Sequence, residues 1–220
     1  LVLSFYFYYS PRIFVPIFLI VIVILYKRQL TMVLKTYVSG FILGLILLIP
    51  ITMATLTPVG FKRVGEVSIF SDMSIITTYV EAQSKSQHSF SKVFLNRRIP
   101  RIIEATHNYF SHLSPGFLFF GDDPNKRHHS TFHGNFYIFE IITILIGIST
   151  LIKFKDNKTK YLLISWILIA PLPASLARES PHSLRSLMLL PPLIILSSIG
   201  LVAIWKNFKF KLLFTSFALL

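Results

Sequence analysis

Apolar residues run along this chain in long blocks, broken by short clusters of Lys and Arg. Five blocks, 13–26, 32–56, 136–152, 161–177 and 184–205, reach or approach spanning length. A hydrocarbon core of roughly 30 Å takes about 20 helical residues to cross. The first block is short by itself, and residues from Tyr6 onward help it across. A bilayer offers the backbone no water to pair with, so these blocks predict helices. The expected fold is an all-α integral membrane protein with five transmembrane helices and a truncated sixth. Residues 1–56 hold two transmembrane helices, 57–135 form an external segment, and 136–220 hold three more and the start of another. The chain opens at Leu1 without Met and closes inside an apolar run, 212–220, so it reads as a fragment with helices missing at both ends.

The external segment, about 80 residues long, is too long for an idle loop. Its stretches 74–86 and 89–113 have helical patterning. In the second, Val93, Phe94, Ile102, Ile103, Thr106, Tyr109, Phe110 and Leu113 recur at three- and four-residue steps, with Arg97, Arg98 and Arg101 opposite. Pro100 predicts a kink or restart there. A basic amphipathic helix suits a membrane surface; packing on the external end of the bundle is the preferred reading. Ser114-Pro115-Gly116 ends the helix, and Gly121-Asp122-Asp123-Pro124-Asn125 marks turns. Asp122 and Asp123 with His128, His129 and His133 have metal-binding chemistry, but HHxxxH matches no strong signature, and a surface turn is the better reading. No cofactor is expected.

Composition supports the membrane reading: 53% of residues are hydrophobic, 15% aromatic and only 14% charged, against roughly 25% charged in soluble domains. Disorder and a soluble globular domain are excluded. There is no Cys, hence no disulfide and no thiolate chemistry. The net charge of +13 would point to nucleic acid in a soluble protein. Here the basic residues flank apolar runs, so no nucleic-acid partner is expected and membrane lipid is the better one. Lys27, Arg28 and Lys35, then Lys153, Lys155, Lys158 and Lys160, then Lys206, Lys209 and Lys211 occupy alternate connections. The positive-inside rule puts all three clusters in the cytoplasm and the 57–135 segment outside. All seven His then lie outside, with every acid except Asp156 outside or at that edge.

The short external connection 171–185 carries the densest chemistry. Arg178, Glu179, His182 and Arg185 fall within eight residues between apolar helices. Ser180 before Pro181 predicts a helix start, whose free N–H groups would favour an anion. His182 and Arg185 would then share a face, and Arg recognises phosphate with a planar fork of donors. Arg12, after Tyr8, Tyr9 and Ser10, sits at the same depth. Snorkelling to headgroups accounts for a lone interfacial Arg, but gives Glu179 and His182 no advantage. An external anion site at the membrane boundary fits a lipid-linked phosphate.

Residues 171–185 read Pro-x-Pro-Ala-Ser-Leu-x-Arg-Glu-x-Pro-His-x-x-Arg. This resembles bacterial polytopic membrane glycosyltransferases of the GT-C superfamily, those similar to dolichyl-phosphate-mannose protein mannosyltransferases. Tyr8-Tyr9-Ser10-Pro11-Arg12 and Tyr109-Phe110-Ser111-His112-Leu113-Ser114-Pro115, leading to Phe119-Phe120-Gly121-Asp122 and Arg127-His128, look like the same group. The resemblance implies an inverting transferase in the bacterial plasma membrane. It would move a sugar from a polyprenyl-phosphate donor to a glycan, lipid or protein acceptor on the external face. The family's catalytic acid sits in a first external loop that this fragment does not contain, so the resemblance transfers no catalytic residue. Arg178, Glu179, His182, Arg185 and Arg12 are the expected substrate-binding residues.

The alternative is a polytopic transporter or lipid flippase without glycosyl transfer. Such proteins carry internal repeats and midplane charges. The sequence shows no repeat, and the span centres lack acids, Lys, Arg and His. A purely structural membrane subunit leaves the 178–185 cluster unexplained.

Overall fold

The computed structural model describes residues 2–84, 99–125, 127 and 133–207. The chain is mostly helical (77%), with no strand among the described residues. Helices α1 (Ser4–Phe7) and α2 (Ser10–Thr55) are followed by α3 (Pro58–Val67), α4 (Met73–Ser84) and α5 (Ile99–Ser111). After a π-turn at Gly116–Phe120 come α6 (Glu140–Ile152), α7 (Asn157–Ile169), the single turn α8 (Leu172–Ser175) and α9 (Leu190–Asn207). Residues 89–98, His128, His129 and the tail 208–220 with Lys209 and Lys211 lie outside the described residues, as does the Lys35 side chain.

Among the described residues, three helical stretches are long and apolar enough to cross a membrane: Ser10–Met32, Val38–Thr55 and Leu187–Lys206. The blocks expected to span at 136–152 and 161–177 form α6 and α7, of 13 residues each, about 20 Å long. Each is cut short by local chemistry. The Glu140 carboxylate accepts the Tyr137 N–H (2.9 Å), holding 137–139 in a turn before α6. Pro171 and Pro173 lack N–H donors, and the chain leaves regular helix after Ile169.

Although α2 is continuous by hydrogen bonding, it breaks at Tyr26 (φ −116°, ψ 18°). Arg12 reaches Thr55, 43 residues on, and the Tyr6 hydroxyl donates to the Leu47 carbonyl. A straight helix would hold Arg12 and Thr55 about 65 Å apart, so the chain doubles back and α2 forms two antiparallel arms. None of the Val38–Thr55 window is buried. An apolar helix so exposed is the surface a lipid solvent accepts.

The core joins the first arm to the later helices. Phe14 and Phe18 stack at 5.1 Å, and Trp166 of α7 lies 6.3 and 5.0 Å from their rings. The Trp166 indole donates to the Met188 carbonyl (2.9 Å). The most extensive helix contact joins α6 and α9, where small residues let backbones touch. A Cβ at Gly200 would run into the Thr143 carbonyl, and one at Gly147 into the Leu196 carbonyl. Gly200→Val should therefore push α6 and α9 apart and lower stability by about 1–3 kcal/mol. Its thermal midpoint in detergent tests this, and an unchanged midpoint would contradict the backbone contact.

The basic clusters meet at one end of this bundle. The Lys158 ammonium lies over the Tyr26 ring, 5.5 Å from its centroid, and Lys153 and Lys206 line one groove. Arg12, Thr55 and the 176–186 loop lie at the other end.

Candidate functional site

The 176–186 loop is built by long-range contacts. Ser68 and Ala177 form an antiparallel bridge: the Ile69 N–H donates to the Leu176 carbonyl (3.1 Å), and the Arg178 N–H to Val67 (2.8 Å). The segment 67–69 thus acts as a splint for the loop. Glu179 takes the left-handed region (φ 55°) and is exposed.

No helix starts at Pro181. Residues 183–186 form turns, 187–189 a 3₁₀ turn, and α9 begins at Leu190. The donors a helix start would leave free are already committed. The His182 N–H donates to His112 Nε2 (3.1 Å) and the Ser183 N–H to Asp123 Oδ2 (2.8 Å). The expected helix-end anion site is therefore absent from this loop.

Two neighbouring features replace it. The first is a buried polar cluster. His112 is fully buried at the end of α5, and its Nδ1 lies 2.6 Å from the Asn108 carbonyl. With Nε2 accepting from His182, only the neutral imidazole protonated at Nδ1 makes both bonds. Burial pushes the His112 pKa down to about 4, against the pull of the Asn108 bond. Asp123 is also buried, and its other oxygen accepts the Asn125 N–H (2.8 Å). Burial would raise its pKa, but the bonds from Ser183 and Asn125 and the nearby His182 hold it below the usual carboxylate range. Asn108 Nδ2 donates to the Ser175 carbonyl (3.4 Å), and the Ser186 hydroxyl to the His182 carbonyl (3.0 Å). The cluster fixes the loop against α5 and the 121–125 turn. Asp123→Asn removes a charged acceptor from a buried N–H and should cost about 1.5–3 kcal/mol, read as a lower thermal midpoint at neutral pH. A midpoint equal to wild type would contradict the role.

The second feature is a cavity of about 540 Å³ beside the loop. Tyr8, Tyr9, Ser10, Arg12 and Ile13 of the first arm line it, with Thr55 at the end of the second arm. Arg63, Val64 and Val67 of α3, then Ser68 and Phe70, form one wall, and Pro173, Leu176, Ala177 and Arg185 another. Among the described residues, three guanidinium groups and no acid line it. Arg12 is held by the Phe5 carbonyl (Nε, 2.9 Å), Thr55 Oγ1 (Nη1, 3.1 Å) and the Tyr9 ring (4.2 Å). Arg185 donates through Nη1 to the Arg178 carbonyl. Each fork has five N–H donors, so both keep donors for a bound anion.

The expected cluster thus divides. Arg12 and Arg185 share the cavity. Arg178 turns away: its Nε lies 3.2 Å from both Asp72 Oδ2 and the Ser68 carbonyl. Asp72 is held below the usual carboxylate range by the Ser74 hydroxyl and, further, by Arg178. His182 belongs to the buried cluster, and Glu179 lines no part of the cavity. Sequence reading missed Arg63, Asn108 and the partnership of His112 with Asp123. Thr57-Pro58 is a helix-start signal, and Arg63, Val64 and Val67 then fall on one face, a pattern visible in the sequence. Asp123, a carboxylate with metal-binding chemistry, has both of its oxygens engaged by backbone N–H groups.

No protein-family model matches this chain, and the comparisons with curated proteins and with solved structures likewise give no match.

Proposed function

We propose that this chain forms the lipid-donor side of a membrane glycosyltransferase. The observation that carries the reading is the cavity: a mainly apolar pocket at the end of an apolar helix pair, edged by Arg12, Arg63 and Arg185 and, among the described residues, without a lining acid. That combination suits an amphiphile whose phosphate meets the guanidinium groups while its isoprenoid chain stays with apolar walls and lipid. Phosphate becomes more negative as a sugar departs from it, so fixed cations there stabilise the transition state as well as the bound donor. Arg178 acts one step away, tying the loop to the 67–72 splint through Asp72.

In this reading α6 and α7 cross the membrane with the three longer spans. The end carrying Lys153, Lys158 and Lys206 is cytoplasmic, and the cavity opens outside at a bacterial plasma membrane. Helix α5 then lies in the outer interface. Its polar stripe, Asn108 and His112, packs inward while Ile102, Ile103 and Phe110 are exposed toward lipid. The acceptor, whether glycan, lipid or protein, approaches from the external side.

The test is transfer of a radiolabelled sugar from a polyprenyl-phosphate donor, by the native protein reconstituted in vesicles. Transfer that depends on Arg185 supports the reading. Donor binding without any transfer favours a lipid carrier without chemistry.

A further inference from the structure

We propose that the groove between α6 and α9, at the opposite end of the bundle from the arginine cavity, binds an anionic phospholipid. Its phosphate rests at Lys153 and Lys206, and one acyl chain lies along α9. The groove encloses about 590 Å³. On α9 its wall is a single stripe that includes Ile195, Ile199, Val202 and Lys206, spaced so that they stack on one helix face. From Ile195 to Lys206 that stripe is about 16 Å long. Ser198 also lines this wall, but its hydroxyl is turned back onto the Ile194 carbonyl (2.8 Å), so the wall is mainly apolar before Lys206. Lys153, just past the end of α6, brings a second ammonium to the same end. A mainly apolar trough, with Thr150 and Ser198 as its uncharged polar members and two cations at one end, suits an anionic amphiphile better than a soluble anion.

No acid lines the groove among the described residues. Asp156, the acid expected on this side, is taken: it caps α7 through the Lys158 N–H (3.0 Å) and accepts from the Thr159 hydroxyl. Lys160 is also committed, donating to the Ile152 carbonyl at the end of α6 (2.9 Å). That bond leaves the carbonyl end of α6 already served by one lysine. Among the described residues, Lys153 and Lys206 are the cations that face the trough.

The experiment measures lipid retention on the purified full chain by native mass spectrometry. Phosphatidylglycerol is titrated against phosphatidylcholine in mixed micelles, with soluble glycerol phosphate as a separate arm. Wild type should retain phosphatidylglycerol selectively and glycerol phosphate not at all. Lys153→Gln with Lys206→Gln should lower the selectivity about tenfold or more, from the loss of two near-surface charges. Val202→Trp keeps both charges but fills the trough, and should lower retention of either lipid. Lys27→Gln with Arg28→Gln, at the same end but outside the groove, should retain wild-type selectivity. Thermal midpoints confirm that each variant is folded, and should the lysine pair fail to fold, Val202→Trp decides by itself. Equal retention of the two lipids by wild type, unchanged selectivity in the lysine pair, equal loss in the Lys27/Arg28 control, or retention of glycerol phosphate would each overturn the proposal.

Discussion

Removing two cations from the cavity, in an Arg12→Ala, Arg185→Ala double variant, is expected to weaken polyprenyl-phosphate binding about a hundredfold or more. A hydrogen bond to a charged group contributes about 1.5–3 kcal/mol, and a factor of ten corresponds to about 1.4 kcal/mol. Each single variant should therefore lose about tenfold, with Arg63 holding the residual affinity. The two arginines differ in what else they do. Arg12 braces α1 and both arms of α2 through Phe5, Tyr9 and Thr55, so its alanine variant also loosens that end. Arg185 donates to the Arg178 carbonyl within its own loop, and its alanine variant reports more purely on the ligand. Arg185→Lys keeps the charge and loses the fork, so rescue should be partial. Titration of polyprenyl monophosphate onto protein in nanodiscs, with thermal midpoints recorded alongside, gives the result. Wild-type affinity in the folded double variant would remove the arginines from the site. Arg178→Ala should instead act through the loop, lowering stability more than intrinsic affinity.

Acid should loosen the same loop in a defined window. The His112 pKa falls to about 4 in the folded protein, against about 6.5 in an unfolded chain. Between these values the unfolded state binds the extra proton, so stability rises with pH there. The contribution is fully present above about pH 6.5 and is lost as pH falls toward 4, about 3 kcal/mol in all. The structural reason is direct. A protonated imidazole has no lone pair at Nε2 to receive the His182 N–H, and the buried donor is left unpaired. Asp123, whose pKa is lowered, loses its contribution only as pH falls below the ordinary carboxylate range, so the two windows separate. Thermal unfolding from pH 8 to pH 4 should show the wild-type midpoint falling from about pH 6.5 downward. His112→Gln should start from a lower midpoint and fall far less. Parallel curves for the two proteins would show that His112 stays neutral for no energetic benefit to the fold.

Much of the fold was legible because the membrane imposes simple rules on the chain. The alternation of Lys and Arg clusters put 27–35, 153–160 and 206–211 on one side, and in the structure Lys158 lies over the Tyr26 ring and Lys153 shares a groove with Lys206. The apolar blocks located the helices, but their ends escaped. Glu140 capping Tyr137 and the Pro171–Pro173 break shorten α6 and α7, and these are side-chain events that a hydropathy pattern averages away. On α5 the apolar spacing was clear, but its direction was not. In water the apolar face packs inward; here Asn108 and His112 pack inward, while Ile102 and Phe110 point out.

The site was half legible. The density of Arg, Glu and His at 178–185 marked the loop beside the arginine-edged cavity, and Arg12 and Arg185 both line that cavity. Proximity in sequence misled for Glu179, which the left-handed backbone turns outward; Asp72 neutralises Arg178 instead. The Ser180-Pro181 helix signal was overridden because His112 and Asp123, distant in sequence, capture the donors at 182 and 183. A local signal carries no information about such partners. Arg63 was lost among the polar residues of a long segment, although the face it shares with Val64 and Val67 could have been drawn from the pattern.

The most direct measurement of the central claim is photo-crosslinking with a polyprenyl phosphate carrying a photoreactive group beside its phosphate. The native protein is labelled in membranes and the modified peptides are mapped by mass spectrometry. The account predicts labelling within 8–13, 63–70 and 173–185, competed by unlabelled polyprenyl phosphate and lost in the Arg12→Ala, Arg185→Ala variant. Labelling that falls elsewhere, or that survives both the competitor and the double variant, would contradict it.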